Sequence, residues 1–229
     1  DLHSDLSTAS MAINAALAER DGPVHVELLN WFQLPADLQG MYPCMLEAAG
    51  EQIGEHIVQG IATTAYRIER PIALAKLDVP TAKNDWGELT AAAVMGKSAL
   101  CVQTEWQIMR ALDEDWRVSA RALTTDPAGW AIAQGESDIR NAEQQPTSAL
   151  DSGEASAFNL LRLPAGTPPG DYDVRLVVFS ERTPHGVDWY VDDVPAGRFV
   201  RLATLDLAGN TAHEFENAPM RVLDLPVAE

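Results

Sequence analysis

Basic residues are scarce in this chain of 229 residues: 16 Lys and Arg stand against 34 Asp and Glu, a formal net charge of −18. A field of that sign repels phosphate backbones and anionic lipid surfaces, which argues against nucleic-acid and membrane-surface partners. The acidic residues are scattered rather than gathered in a tail, the pattern of a solubilising surface, with a Ca²⁺-loaded or salt-adapted surface as the other reading. Lysine is rarest, 3 against 13 Arg, a bias better matched to a GC-rich genome than to a function. Long apolar runs are also missing. No stretch approaches the roughly 18 consecutive apolar residues of a membrane span, so none is expected in this segment. The chain opens on Asp1 with no basic-then-apolar leader, as a mature form or a piece of a longer protein would.

Cysteine is limited to Cys44 and Cys101, with no CxxC and no Cys/His spacing suited to zinc. Two small buried hydrophobes and a Cys44–Cys101 bridge both remain open, and the count excludes neither the cytoplasm nor the exterior. Catalytic signatures are absent: no GxSxG, HExxH, P-loop or GxGxxG occurs. Carboxylates are plentiful enough for a glycosidase-like pair, yet no two are preferred, so a carboxylate enzyme ranks last and no cofactor is expected.

What is present is mostly strand. Residues 4–20 read as the one convincing helix, with Ser4 or Ser7 as cap, Leu6, Ile13 and Leu17 on one face, and Gly22-Pro23 as stop. From residue 24 the apolar period changes from 3.6 to 2. Strands are expected at 24–32, 41–48, 56–61, 64–79, 88–94, 99–108, 116–124, 130–135, 156–163, 171–179, 188–193, 198–207 and 220–225. Gly/Pro/Asp-rich turns at close spacing argue for sandwiches rather than βαβ units.

A constant shift lays Trp31 on Trp106, Ala36 on Ala111 and Gly54 on Gly129, and Ile57, Gln59 and Gly60 on Ile132, Gln134 and Gly135. RPIALAKLDV (70–79) also matches RFVRLATLDL (198–207). Duplication accounts for the common order. The fold class expected is therefore all-β, with tandem immunoglobulin-like/Greek-key sandwiches and one N-terminal helix. The units are a helix and linker (1–23), a short incomplete sandwich (24–85) and a complete one (86–229), joined near 80–90. An incomplete sandwich exposes edges that must be covered by the second domain, the helix or another polypeptide, which places a protein partner at 24–80.

Several residues carry sharper expectations. Tyr172 follows Pro168-Pro169-Gly170 at the start of a strand whose Val174, Leu176 and Val178 point one way, the setting of a tyrosine corner. Trp31 and Trp106 read as core anchors, and Trp116 as half-buried. Trp86, Trp130, Trp189 and Tyr190 lie near turns; exposed rings there could stack on a glycan, although turn aromatics more often cover a core. His185, Asp188, Asp192 and Asp193 form the densest group of oxygen-type ligands, suited to Ca²⁺, but DxDxDG is absent and a solvated hairpin explains them as well. His3, His25, His56 and His213 are isolated.

The run EWQIMRALDEDWRVSARAL (105–123), with GWAIAQGESD (129–138), PTSALDSGEA (146–155) and LPAGTPPGDYDVRLVVF (163–179), resembles the C-terminal β-sandwich region of large bacterial polytopic membrane proteins of the dolichyl-phosphate-mannose mannosyltransferase type. The resemblance covers 100–207 well and 24–80 faintly. It implies an extracytoplasmic location and an upstream membrane domain, and brings none of that family's catalytic positions into this segment. The expected function is a non-catalytic extracytoplasmic accessory or assembly module acting through protein contacts. The alternative is a carbohydrate-binding module.

Overall fold

The structure, a computed structural model, describes residues 6–29, 37–79, 81–96, 99–125, 129–191, 193–208 and 212–216. Strand accounts for 54% of them and helix for 13%, so the chain is all-β and sandwich-like, with a helix at its N-terminal end. In chain order the elements are α1 (Leu6–Ala18), β1 (Val24–Leu29), α2 (Met41–Ala49), β2 (Glu51–Val58), β3 (Ile61–Ile68), β4 (Ala75–Leu77), β5 (Ala82–Lys83), β6 (Gly87–Gly96), β7 (Ala99–Ile108) and β8 (Arg117–Thr124). They continue with β9 (Ala131–Asp138), β10 (Gly153–Arg162), β11 (Gly170–Phe179), β12 (Trp189–Val191), β13 (Val194–Gly197), β14 (Val200–Ala208) and β15 (Ala212–Glu216).

Three antiparallel sheets result. The first large sheet runs β10-β7-β6-β5-β12-β13, with β4 also on β6, and the second runs β15-β14-β11-β8-β9. Their facing sides share one core, because a period of two sends alternate residues inward: Leu100 and Val102 from β7, Val118, Ala120 and Ala122 from β8, Val174, Leu176 and Val178 from β11. Trp86, Trp106, Trp116 and Trp189 meet at its centre. Trp106 is a core anchor as expected, whereas Trp116 is buried rather than half-buried.

Tyr172 closes the corner. Its hydroxyl donates to the Pro168 carbonyl at 2.8 Å, tying β11 to the turn before it. Where β9 crosses β10, the Asn159 amide donates to the carbonyls of Val118 and Gly135, fastening the edges of the two sheets together. Gly135 is required at this crossing. A Cβ there would lie 2.2 Å from the Leu160 carbonyl oxygen.

Among the described residues between 24 and 68, β1, β2 and β3 form a three-stranded sheet ordered β1-β3-β2, and the layer over it is the helix α2. The strand expected at 41–48 is α2. Met41, Cys44, Met45 and Ala48 recur at helical spacing and are buried, and the Asp37 carboxylate accepts the N–H groups of Met41 (2.7 Å) and Tyr42 (3.0 Å) at the first turn. A second core gathers α2 with Tyr66 and Ile68 of β3 and with Met95, Cys101 and Phe158 on the outer side of the first large sheet. Cys44 and Cys101 are disulfide-bonded. The Arg162 guanidinium grips the Glu47 carboxylate with two bonds of 2.8 Å, and the Gln39 amide donates to the Arg140 and Ser156 carbonyls. The short unit is thus clamped onto the sandwich.

Two organisational expectations change. The boundary at 85/86 falls inside the sandwich, since β4 and β5 both pair with β6. What resembles a linker is a tight turn in which Asn84 Oδ1 accepts the N–H groups of Trp86 and Gly87. The matched segments also occupy unlike places. Gln59 and Gly60 have φ of 52° and 84° and turn the β2–β3 hairpin, while Gln134 and Gly135 run within β9; likewise 70–79 supplies only three-residue β4 of the first sheet, while 198–207 supplies β14 of the second. Trp31, the end of the 24–32 strand and the 220–225 strand lie outside the described residues.

Candidate functional site

The candidate glycan residues separate into two pairs. Trp86 and Trp189 belong to the core: Trp86 lies 5.0 Å from the Trp116 ring and Trp189 5.6 Å from the Trp106 ring. Both are fully buried and present no face to a sugar, which corrects their assignment. The Asn84 turn folds Trp86 inward, and pairing of β12 with β5 carries Trp189 over the core. Trp130 stays 72% exposed and Tyr190 45% exposed. They stand on different sheets: Trp130 opposes Thr124 where β8 turns into β9, and Tyr190 pairs with Lys83 and Pro195. No shared stacking platform joins the four.

Of the candidate Ca²⁺ ligands, His185 is exposed, and Asp188 and Asp193 are each engaged in a separate ion pair. Asp188 faces Arg198 at 3.7 Å and Asp193 pairs with Lys83, whose ammonium is held above its usual range by that carboxylate. Among the described residues no three His, Cys, Asp or Glu side chains gather where a metal ion could be held. Asp192 lies outside those residues. His56 faces Glu27 at 3.7 Å across the small sheet.

The exposed structure of the short unit is concentrated in β2. Every residue of β2 is exposed, and β2 pairs only with β3, so its outer edge is open among the described residues. Ile53, Ile57 and Val58 project from it, Ile57 with 75% of its surface in solvent. The ladder to β3 shifts between Gln52 and Gly54 and then runs unbroken from Gly54 to Val58. On β3 the residues behind it, Tyr66 and Ile68, are buried against α2. The result is a strand with a supported inner edge and a bare outer one.

Behind this sheet, a cavity of about 410 Å³ opens at the C-terminal end of α2, lined by Gly50, Glu51, Arg67, Glu69 and Arg70 among others. Arg67 and Glu69 close on each other at 2.8 Å. Burial pushes the Asp37 carboxyl up, opposed by the two N–H groups it accepts. Tyr66 is raised by burial and then by nearby Glu47. A shortage of strands in 24–80 signals an open edge in the sequence, but nothing local marks β2 as the strand that carries it. No helix among the described residues is long and apolar enough to cross a membrane. No protein-family model, curated protein or solved structure matches this chain.

Proposed function

We propose that this chain is a non-catalytic, extracytoplasmic accessory module that binds another polypeptide by adding a strand to the outer edge of β2. The open edge of β2, with Ile57 projecting beside it, carries the proposal. Unpaired backbone groups on an edge strand template pairing with a further strand, and alternate side chains then set specificity. Gly54 to Val58 supplies the uninterrupted stretch, and the α2 layer, the disulfide and the Glu47–Arg162 pair hold it rigidly against the sandwich. The disulfide supports a place outside the cytoplasm, because such bonds persist in oxidising compartments.

Site-specific photocrosslinking in the cells that make the protein tests this. A photoreactive residue at position 57 should give one discrete polypeptide adduct, lost when Val58→Lys is added, while a probe at position 130 gives none. Adducts equal at both positions, or none at 57, would sink the proposal. Trp130 favours the carbohydrate-binding reading, and a sugar-dependent change in its fluorescence would move the function there.

A further inference from the structure

The exposed strand β2 presents two unlike faces. Residues directly opposed on neighbouring strands share a face, so Glu55 opposite Thr64 and Ile57 opposite Ala62 lie on the α2 side of the sheet, as Tyr66 does. Glu51 opposite Arg67 and His56 opposite Thr63 lie on the other side. The Tyr66 phenol is raised first by burial, then by Glu47 and more weakly by Glu55, which agrees with Glu55 standing beside the α2 layer.

The charges on the two faces are balanced differently. On the far side Glu51 stands across from Arg67, and His56 faces Glu27 at 3.7 Å. On the α2 side Glu47 is held by Arg162. Glu55 has no such counter-charge: it accepts the Gln52 amide at 3.0 Å, and no Lys, Arg or His meets it among the described residues. Ile57, the next residue on that face, is 75% exposed. A strand added at this edge therefore meets one uncompensated carboxylate and one bare apolar side chain side by side. Opposite charges across a strand pair stabilise it, and like charges destabilise it. The net charge of −18 acts in the same sense at longer range, and opposes a second copy of this chain as the added strand.

We propose that the strand added to β2 belongs to a different polypeptide and carries Lys or Arg opposite Glu55 and an apolar residue opposite Ile57, two positions apart on one face. This rests on strand addition at β2 and names what selects the partner there. Backbone pairing along Gly54 to Val58 accepts almost any sequence, whereas Glu55 rewards a cation and repels a carboxylate.

The full chain should be titrated with Ac-Thr-Val-Thr-Lys-Thr-Val-Thr-NH₂, whose alternation is the same in either strand direction, and with its Glu-centred counterpart. The backbone N–H resonances of Gly54 to Val58 are followed. Saturable shifts are expected, with the Lys peptide bound roughly fivefold tighter than the Glu peptide. Glu55→Lys should invert that order with an unchanged tryptophan spectrum, and Ile57→Ser should weaken both peptides. Glu143→Gln removes an exposed carboxylate outside β2 and should leave the ratio as it is. Equal binding of the two peptides, a Lys preference that survives Glu55→Lys, or the same loss of preference in Glu143→Gln overturns the cation requirement while strand addition stands. Unchanged binding by Ile57→Ser overturns the apolar position. If neither peptide moves the β2 resonances, strand addition itself falls, and the specificity with it. A concentration-dependent dimer that shields β2 overturns the different polypeptide as occupant.

Discussion

Cys44 on α2 is covalently joined to Cys101 on β7, closing 57 residues of chain and fastening the helical layer to the outer side of the sandwich. A cross-link over a loop of that length stabilises by about 4 kcal/mol in the chain-entropy account. Denaturant melts of the oxidised protein and of Cys44→Ala/Cys101→Ala should differ by that order. A difference under about 0.5 kcal/mol would mean that α2 is held by packing alone.

The tryptophans should divide sharply. Trp106→Ala removes a buried ring that touches Trp86 and Trp189, and should cost about 3–5 kcal/mol. Trp130→Ala removes a mostly solvated ring and should stay within about 0.5 kcal/mol of the parent. Equal costs in equilibrium unfolding would contradict this placement of the core.

Tyr172→Phe deletes only the hydroxyl that donates to Pro168. Since one net hydrogen bond contributes about 1 kcal/mol, thermal or denaturant melts should show a loss of that size. A variant as stable as the parent would leave the corner without an energetic role.

Gly135→Ala places a methyl group against the Leu160 backbone, which cannot swing aside like a flexible side chain. Separation of β9 from β10 should follow, at a cost of roughly 1–3 kcal/mol and with faster amide exchange near Asn159. Gly54→Ala, with open space around it, is the control. Equal effects would refute the close crossing.

Asp37 sets a pH dependence. Burial raises its pKa in the folded protein above the ordinary 3.8, so the fold holds that proton more tightly than the unfolded chain does. Its contribution to stability is present at low pH and lost as pH rises through the raised value. Asp37→Asn cannot ionise and keeps one acceptor for the helix. Its stability relative to the parent should therefore improve between a pH below 3.8 and about pH 7. Paired melts at both pH values check this, and a gap that is constant or widens towards neutrality would contradict it.

Where local chemistry is decisive, the sequence was readable. α1 lies inside the expected 4–20, and the alternating runs at 99–108, 116–124 and 171–179 are β7, β8 and β11 to within a residue or two. Tyr172 was legible because Pro-Pro-Gly and the following alternation place its hydroxyl over the turn. The open edge at 24–80 was legible only as a shortage of strands. The identity of the edge strand, β2, was not.

By itself the sequence determined class and local form: an all-β chain with an N-terminal helix, a tyrosine corner and an acidic surface, because period, turn residues and charge act over a few positions. The tertiary structure decided the rest. Residues 41–48 became a helix because Asp37 could cap it and the outer side of the first sheet could receive Cys44 and Met45. Trp86 and Trp189 went inward through an Asn84 turn and a β5–β12 pairing that join distant segments. Arg121, Arg175 and Arg201 are far apart in the chain and stand side by side only because strand pairing puts β8, β11 and β14 in register. Such pairings depend on which strands become neighbours, and a period of two carries no information about that choice.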